Sequence, residues 1–413
     1  MLESGEEQTS RELSAVLDAL RSEGELNSSG VFTVDLTRAL PKLEKFQLPK
    51  PHFGLLKLVQ SAVVFGATRL KASFDASEIR IEHNGEVPNS QELRGILNFL
   101  MAPDLPTHQR ALRDLAIGIN TTLARGARWV EVRVRDGNEW VSQRWLSRQD
   151  SEQTVVEHRG SEDMTFSFVM RRTTGQSASH VWKTANKDVM GMFRGDRGTL
   201  DEDAQVIFDR CRHAGISIEI GRHQLPDSSF GKRISRRWSP FSHRFHQAGN
   251  LVDIAFASDQ ASPHLLTPPS QCTAALRYVV SGTLEGGRYQ ATGRPKIVSD
   301  FSSVRRRCFA MVGIRPSATV PCSVTLVKDG VDLTTLSPET VPKGVKVLLC
   351  AEGLKLDLSH FRLIQGPEIQ ERTRWLGDAL GRSLTEILEE KHIDDFSEDE
   401  QRHLRALATY SRD

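Results

Sequence analysis

The chain has 413 residues, 38% hydrophobic and 26% charged, with a formal net charge of +1; this suits a globular protein with room for two or three cores and offers no global field to capture nucleic acid or a membrane. Its five cysteines, Cys211, Cys272, Cys308, Cys322 and Cys350, are scattered without a CxxC pair, which disfavours a disulfide framework or a zinc site and predicts reduced thiols in a cytoplasmic compartment. No apolar run approaches the roughly 18 residues of a membrane helix, and Met1 to Ser10 is acidic and polar, so a membrane or secreted receptor role is not expected.

Residues 1–30 read as an appendage: Leu13, Val16, Leu17 and Leu20 recur at helical spacing before a Ser/Gly/Asn-rich link. Phe32 to Asp35 is strand-like, Leu36 to Phe46 reads as helix, and Pro49 and Pro51 separate it from the next element. From Phe53 to Phe65 the apolar positions cover most of a helix surface, which predicts a helix buried against a sheet and ended at Gly66. A strand at Ile79 to Glu82, an amphipathic helix at Gln91 to Leu100, a helix at Arg110 to Leu115, a turn at Gly118, a further helix to Ala124, and strands at Trp129 to Val134, Glu139 to Trp145 and Met164 to Arg172 come next. Together they predict an α+β sandwich with helices on one face of a mixed sheet.

A polar stretch, Thr173 to Leu200, suits a mobile lid or an insertion. Helix Asp201 to Arg212 and strand Ile216 to Ile220 complete a first domain over 31–225, and a basic linker fills 226–260. A second α/β unit over 261–390 is expected from strands at Thr273 to Gly282, Ser323 to Lys328 and Val345 to Cys350 and a helix at Ile369 to Leu388, before a charged helical tail at 391–413.

Three segments carry a possible site. Leu55-Leu-Lys-Leu-Val-Gln-Ser-Ala-Val63 is a helix bearing Lys57, Gln60 and Ser61; His83-Asn-Gly-Glu-Val-Pro88 ends a strand; Ala116-Ile-Gly-Ile-Asn-Thr121 is glycine-containing and rich in hydroxyls. Their order resembles the GHKL ATP-binding (Bergerat) fold of DNA gyrase, histidine kinases, MutL and HtpG-type heat-shock chaperones. The resemblance covers residues 31–225 and, more weakly, 260–388. It implies a GHKL-type sandwich followed by a smaller α/β domain like that of the chaperone and gyrase branches.

The family's glutamate base and magnesium-binding asparagine fall on Lys57 and Ser61. A lysine cannot act as a carboxylate base, and serine is a poor substitute for an amide oxygen on a hard cation. The adenine-binding aspartate motif falls on His83, Asn84 and Gly85, and the phosphate-side turn on Gly118, Asn120 and Thr121. The implied nucleotide-binding set is Ser61, His83, Asn84, Gly85, Gly118, Asn120 and Thr121, with ATP or ADP as the ligand to test for, no firm case for magnesium and no catalytic residue.

Each motif has a plainer reading as well. Asn84-Gly85 suits an ordinary turn, Gly118 close helix packing, His83 a surface or turn position, and Lys57 a solvated helix lysine or a phosphate ligand. The expected function is a degenerate ATPase working as a chaperone-like or protein-interaction module with a protein partner or client. One rival is a divergent ATPase whose base is Glu82 or Glu86. Another is nucleic-acid binding through Lys232 to Arg237 and Arg305 to Arg307, with Trp238, Phe241 and Phe245 as stacking faces.

Overall fold

The computed structural model describes residues 48–410 apart from 102–105, 148–149, 157–162, 174–201, 222, 226–249, 259–261, 263, 269–273, 275, 286–287, 300, 302–306, 317–318, 358–360, 365, 391–393 and 395. The N-terminal appendage, the expected strand and helix before residue 47, the polar stretch after Thr173, the basic segment Lys232 to Arg237 with its aromatic neighbours, and Arg305 and Arg306 lie outside the described residues.

Helix α1 (Phe53–Val64) is buried along its whole length, as a helix apolar on nearly every side must be. Strands β1 (Arg69–Phe74) and β2 (Glu78–His83) form an antiparallel pair. Helix α2 (Ser90–Arg94) starts from a capping box between Asn89 and Glu92. Helix α3 (Thr107–Ala124) follows and packs along α1.

Strands β3 (Trp129–Asp136), β4 (Glu139–Trp145), β5 (Ser151–Val156) and β6 (Phe166–Arg171), helix α4 (Glu202–Arg210), and strands β7 (Ser217–Ile220) and β8 (His223–Gln224) complete the first sheet. Its order is β5-β4-β3-β6-β2-β1-β7-β8, and β1 with β7 is its parallel contact.

The second sheet also has eight strands: β9 (Val252–Ser258), β10 (Leu276–Glu285), β11 (Arg288–Ala291), β12 (Lys296–Ile297), β13 (Arg307–Ile314), β14 (Ser323–Lys328), β15 (Val331–Leu336) and β16 (Val345–Cys350). The order is β11-β10-β9-β13-β16-β14-β15, with β12 beside β10. Helix α5 (Pro367–Leu388) buries Ile369, Leu376, Leu380, Leu384 and Ile387, a stripe at three- and four-residue spacing. Its Trp375 meets Phe256, Tyr289 and Phe309 edge-on at 5.3 to 5.6 Å between ring centroids. Helix α6 (Glu398–Thr409) opens on a Ser397–Glu400 capping box and packs on α5 through a face that buries Leu404, Leu407 and Ala408.

These sheets correct the expected fold class. The chain does not form a GHKL-type helix-packed sandwich followed by a smaller α/β domain. Two mostly antiparallel eight-stranded sheets carry the architecture, with six α-helices among the described residues, and the second sheet has as many strands as the first. Two of the strands not read from sequence, β9 and β13, were missed for a physical reason. Strand β9 is buried at all seven positions and β13 at seven of eight, so neither shows the alternation that marks a half-exposed strand. Strand β9 also lies within what reads from sequence as the basic linker. Residues 40–413 group as one compact unit.

Candidate functional site in a buried charge cluster

The residues implied by the resemblance fall into two structural groups. The first lies where α1 crosses α3. The Ser61 hydroxyl donates to the Ala111 carbonyl at 2.9 Å. A Cβ added at Gly118 would stand 2.6 Å from Leu58 Cδ2, and one added at Gly54 would stand 3.2 Å from Thr121 Cβ. Gly118 is therefore not a turn that opens a helix. It sits within the continuous helix α3, where the missing side chain lets the two helices approach. Asn120 is fully buried in the same helix. Gly118 to Thr121 occupies the C-terminal half of α3, and the free N–H groups that attract an anion belong to a helix's first turn.

The second group closes the end of β2. Asn84 Oδ1 accepts from the Thr68 and Arg69 N–H groups, both at 2.9 Å, and its amide donates to Thr68 Oγ1 at 2.8 Å. A Cβ on Gly85 would lie 2.7 Å from the Ala67 nitrogen and 2.8 Å from the Phe65 oxygen. His83, expected at the surface or in a turn, is buried instead. It stacks on Phe166 at 4.4 Å and accepts from the Gly85 N–H at 3.2 Å. Burial pushes its imidazole down to about 3, so it is neutral at physiological pH. Glu82 lies 3.9 Å from Arg80, and Glu86 is exposed.

Lys57 departs furthest from expectation. Its side chain is 1% exposed and its ammonium donates to Asp114 Oδ1 at 3.0 Å, with the Phe361 ring 4.9 Å away. Burial draws the ammonium below the ordinary lysine range; Asp114 and Asp329 oppose that shift, and Lys328 adds to it. The sequence places a lysine on an apolar helix but gives no hint of its partner, 57 residues away.

Around this pair the helices of the first sheet meet the loops of the second. Strands β14 and β15 are joined by Asp329-Gly330 between the paired residues Lys328 and Val331. Both turn residues have positive φ, 47° and 78°, as a type I′ hairpin requires. In this turn Asp329 is buried and Gly330 half-buried. A Cβ on Gly330 would come within 2.6 Å of Ala214 Cα, and the Lys328 carbonyl accepts from Gln60 Nε2 at 3.0 Å. Beside it, Arg210 donates to the Asp332 and Leu333 carbonyls, and His213 Nδ1 lies 2.7 Å from Asp332.

The Asp329 carboxylate ends in a further set of charges. Its Oδ1 lies 2.6 Å from His264 Nδ1 and its Oδ2 lies 3.8 Å from Arg110 Nη2. Arg110 grips Glu352 with two bonds of 2.8 and 3.1 Å. Burial works to raise the Glu352 carboxyl, but Arg110, together with His264 and Lys328, carries it below the usual carboxylate range. The buried Cys350 thiol donates to the His264 carbonyl at 3.2 Å, and burial pushes its pKa up to about 12. On the outer side, His264 Nε2 lies 3.5 Å from Thr107 Oγ1.

His264, Asp329 and Glu352 bring ligand atoms within 4.8 Å of one another, close enough to consider a metal. The donor set argues for an ion-pair cluster instead, because Arg110 already bonds Glu352 and stands beside Asp329, and a bound cation would have to compete with it.

No protein-family model matches this chain, and no curated protein matches it. Among the described residues, no helix is long and apolar enough to cross a membrane. Sequence reasoning missed Thr107, Arg110, Asp114, His264, Asp329 and Glu352. Asp-Gly between strand-like runs was a usable signal for the hairpin, but nothing local pairs His264 with a residue 65 positions away.

Proposed function

We propose that this chain is a chaperone-like or protein-interaction module that does not turn over nucleotide at the positions singled out by the resemblance. One observation carries the reading: Lys57 stands where that resemblance puts a catalytic base, and it is buried in an ion pair with Asp114. An ammonium so placed cannot take a proton from water, and moving it would leave Asp114 buried without a partner. The neighbouring Ser61 hydroxyl is committed to the Ala111 carbonyl, which removes the most direct metal ligand from the same helix. Loss of a general base typically costs a factor of hundreds or more in rate.

The test is calorimetric titration with ATP and ADP, with and without magnesium, followed by a hydrolysis assay on the same sample. The expected result is no magnesium-dependent turnover, whether or not heat of binding is seen. Turnover that disappears on Glu82→Gln or Glu86→Gln would overturn the proposal and establish a divergent ATPase.

A further inference from the structure

Thr107, His264 and Asp329 form a line running from surface to interior. Thr107 is exposed at the first residue of α3, the His264 side chain is 7% exposed, and that of Asp329 is 2% exposed. The carboxylate oxygen 2.6 Å from His264 Nδ1 can only accept a hydrogen bond. In the neutral ring the proton therefore sits on Nδ1, which leaves the Nε2 lone pair facing the Thr107 hydroxyl, 3.5 Å away. Asp329 is itself held from both sides. The I′ turn fixes its backbone, and Arg110, anchored by Glu352, stands beside its second oxygen.

We propose that Thr107, His264 and Asp329 act as a nucleophile, base and orienting acid on carboxylic esters. A hydroxyl, an imidazole aligned on it and a buried carboxylate fixing the tautomer are the parts that acyl transfer needs. Such contacts are commonly looser before substrate binds than in the reacting complex. The first turn of α3 supplies the remaining part. Its ladder opens with the Arg110 N–H bonding the Pro106 carbonyl at 2.9 Å, so the N–H groups before it have no carbonyl within the helix and lie next to the nucleophile.

In the first step Thr107 Oγ attacks the ester carbonyl carbon while its proton passes to His264 Nε2. The tetrahedral adduct collapses by breaking the bond to the alcohol oxygen, and the alcohol leaves with the proton from Nε2. Water, deprotonated by the same nitrogen, then attacks the threonyl ester and releases the carboxylic acid. That step returns the proton to Thr107, and the net reaction is ester plus water to acid plus alcohol. This proposal is independent of the nucleotide reading, since it involves neither Lys57 nor Ser61 as a reacting group.

The experiment treats the full chain with a fluorophosphonate probe and with p-nitrophenyl acetate, and locates the adduct by peptide mass spectrometry. The expected result is an adduct on Thr107 that persists in Thr107→Ser and is lost in Thr107→Val, a change of an exposed side chain that leaves the melting temperature in place. Asp329→Asn is the second variant. Asparagine suits the left-handed turn position as well as aspartate does, but it favours the opposite imidazole tautomer, so the labelling rate is expected to fall by about 100-fold or more in a folded protein. An adduct mapped to other residues, no adduct at all, or equal labelling of wild type and Thr107→Val would each overturn the proposal.

Discussion

The polar residues of this chain are used in two ways. At the end of β2 and in the α1–α3 crossing, they bond to groups within the first sheet's own segment: Asn84 to the Thr68–Arg69 backbone, Ser61 to Ala111, His83 to Gly85. In the charge cluster they reach across the fold, joining Gln60 to Lys328 and Arg110 to Asp329 and Glu352. The first kind finishes turns and helix contacts. The second ties the two sheets together and is the place where an imidazole meets an exposed hydroxyl. A glycine or histidine in a suggestive order is thus weak ground for a ligand site when its polar groups already bond to near neighbours.

The largest effect expected is at Lys57. Lys57→Met should leave Asp114 buried and unpaired and cost about 3–5 kcal/mol in urea unfolding. The double variant Lys57→Met/Asp114→Leu should recover most of that loss, because two apolar groups replace the pair. If the single variant costs nothing, the ion pair does not hold α1 against α3.

Gly85→Ala comes next. The new methyl would press on backbone atoms of Phe65 and Ala67 that have little room to move, so a loss of about 1–3 kcal/mol is expected. A neutral outcome would show that Gly85 is not needed for close packing. Asn84→Ala should be milder, about 1 kcal/mol, through loss of the hydrogen bonds that hold Thr68 and Arg69. A loss of protein-partner binding with unchanged stability would instead make Asn84 a ligand residue.

The pH dependence sharpens the comparison further. Folded His83 stays neutral down to about 3, whereas an unfolded imidazole takes up a proton near 6.5. Between these values the unfolded chain binds the additional proton, so stability falls as pH drops from about 6.5 toward 3. His83→Phe keeps an aromatic ring against Phe166 and removes this contribution, and the midpoint of acid unfolding should move to lower pH. Asp203 acts in a lower window. Burial alone would raise its carboxyl, but the His52 hydrogen bond, Arg125 and Arg172 bring it to about 2. Its stabilisation, present above about 4, is lost as pH falls through 2. An acid midpoint unmoved by His83→Phe would mean that His83 is not shielded from water.

Much of the local structure was legible. Strands β4, β14 and β16 have the limits read from alternation and β-branched content, and α1 ends within a residue of its expected limit. What failed depends on distant contacts. Gly118 looked like a turn because glycine is a poor helix former, yet the nearby Leu58 and Gly54 favour it within α3. Lys57 looked solvated because a lone lysine usually is, and its partner lies on another helix. Strands β9 and β13, buried at nearly every position, carry little period to read, and the His264–Asp329 contact joins residues 65 positions apart in sequence.

The most direct single measurement is urea unfolding of the wild type and of Lys57→Met/Asp114→Leu, each with and without magnesium-ATP, since a ligand of the folded state raises the midpoint in proportion to its binding. The expected result is that any shift produced by the nucleotide is the same in both proteins, because Lys57 is committed to Asp114. A shift in the wild type that vanishes in the double variant would contradict that result and place Lys57 on the nucleotide.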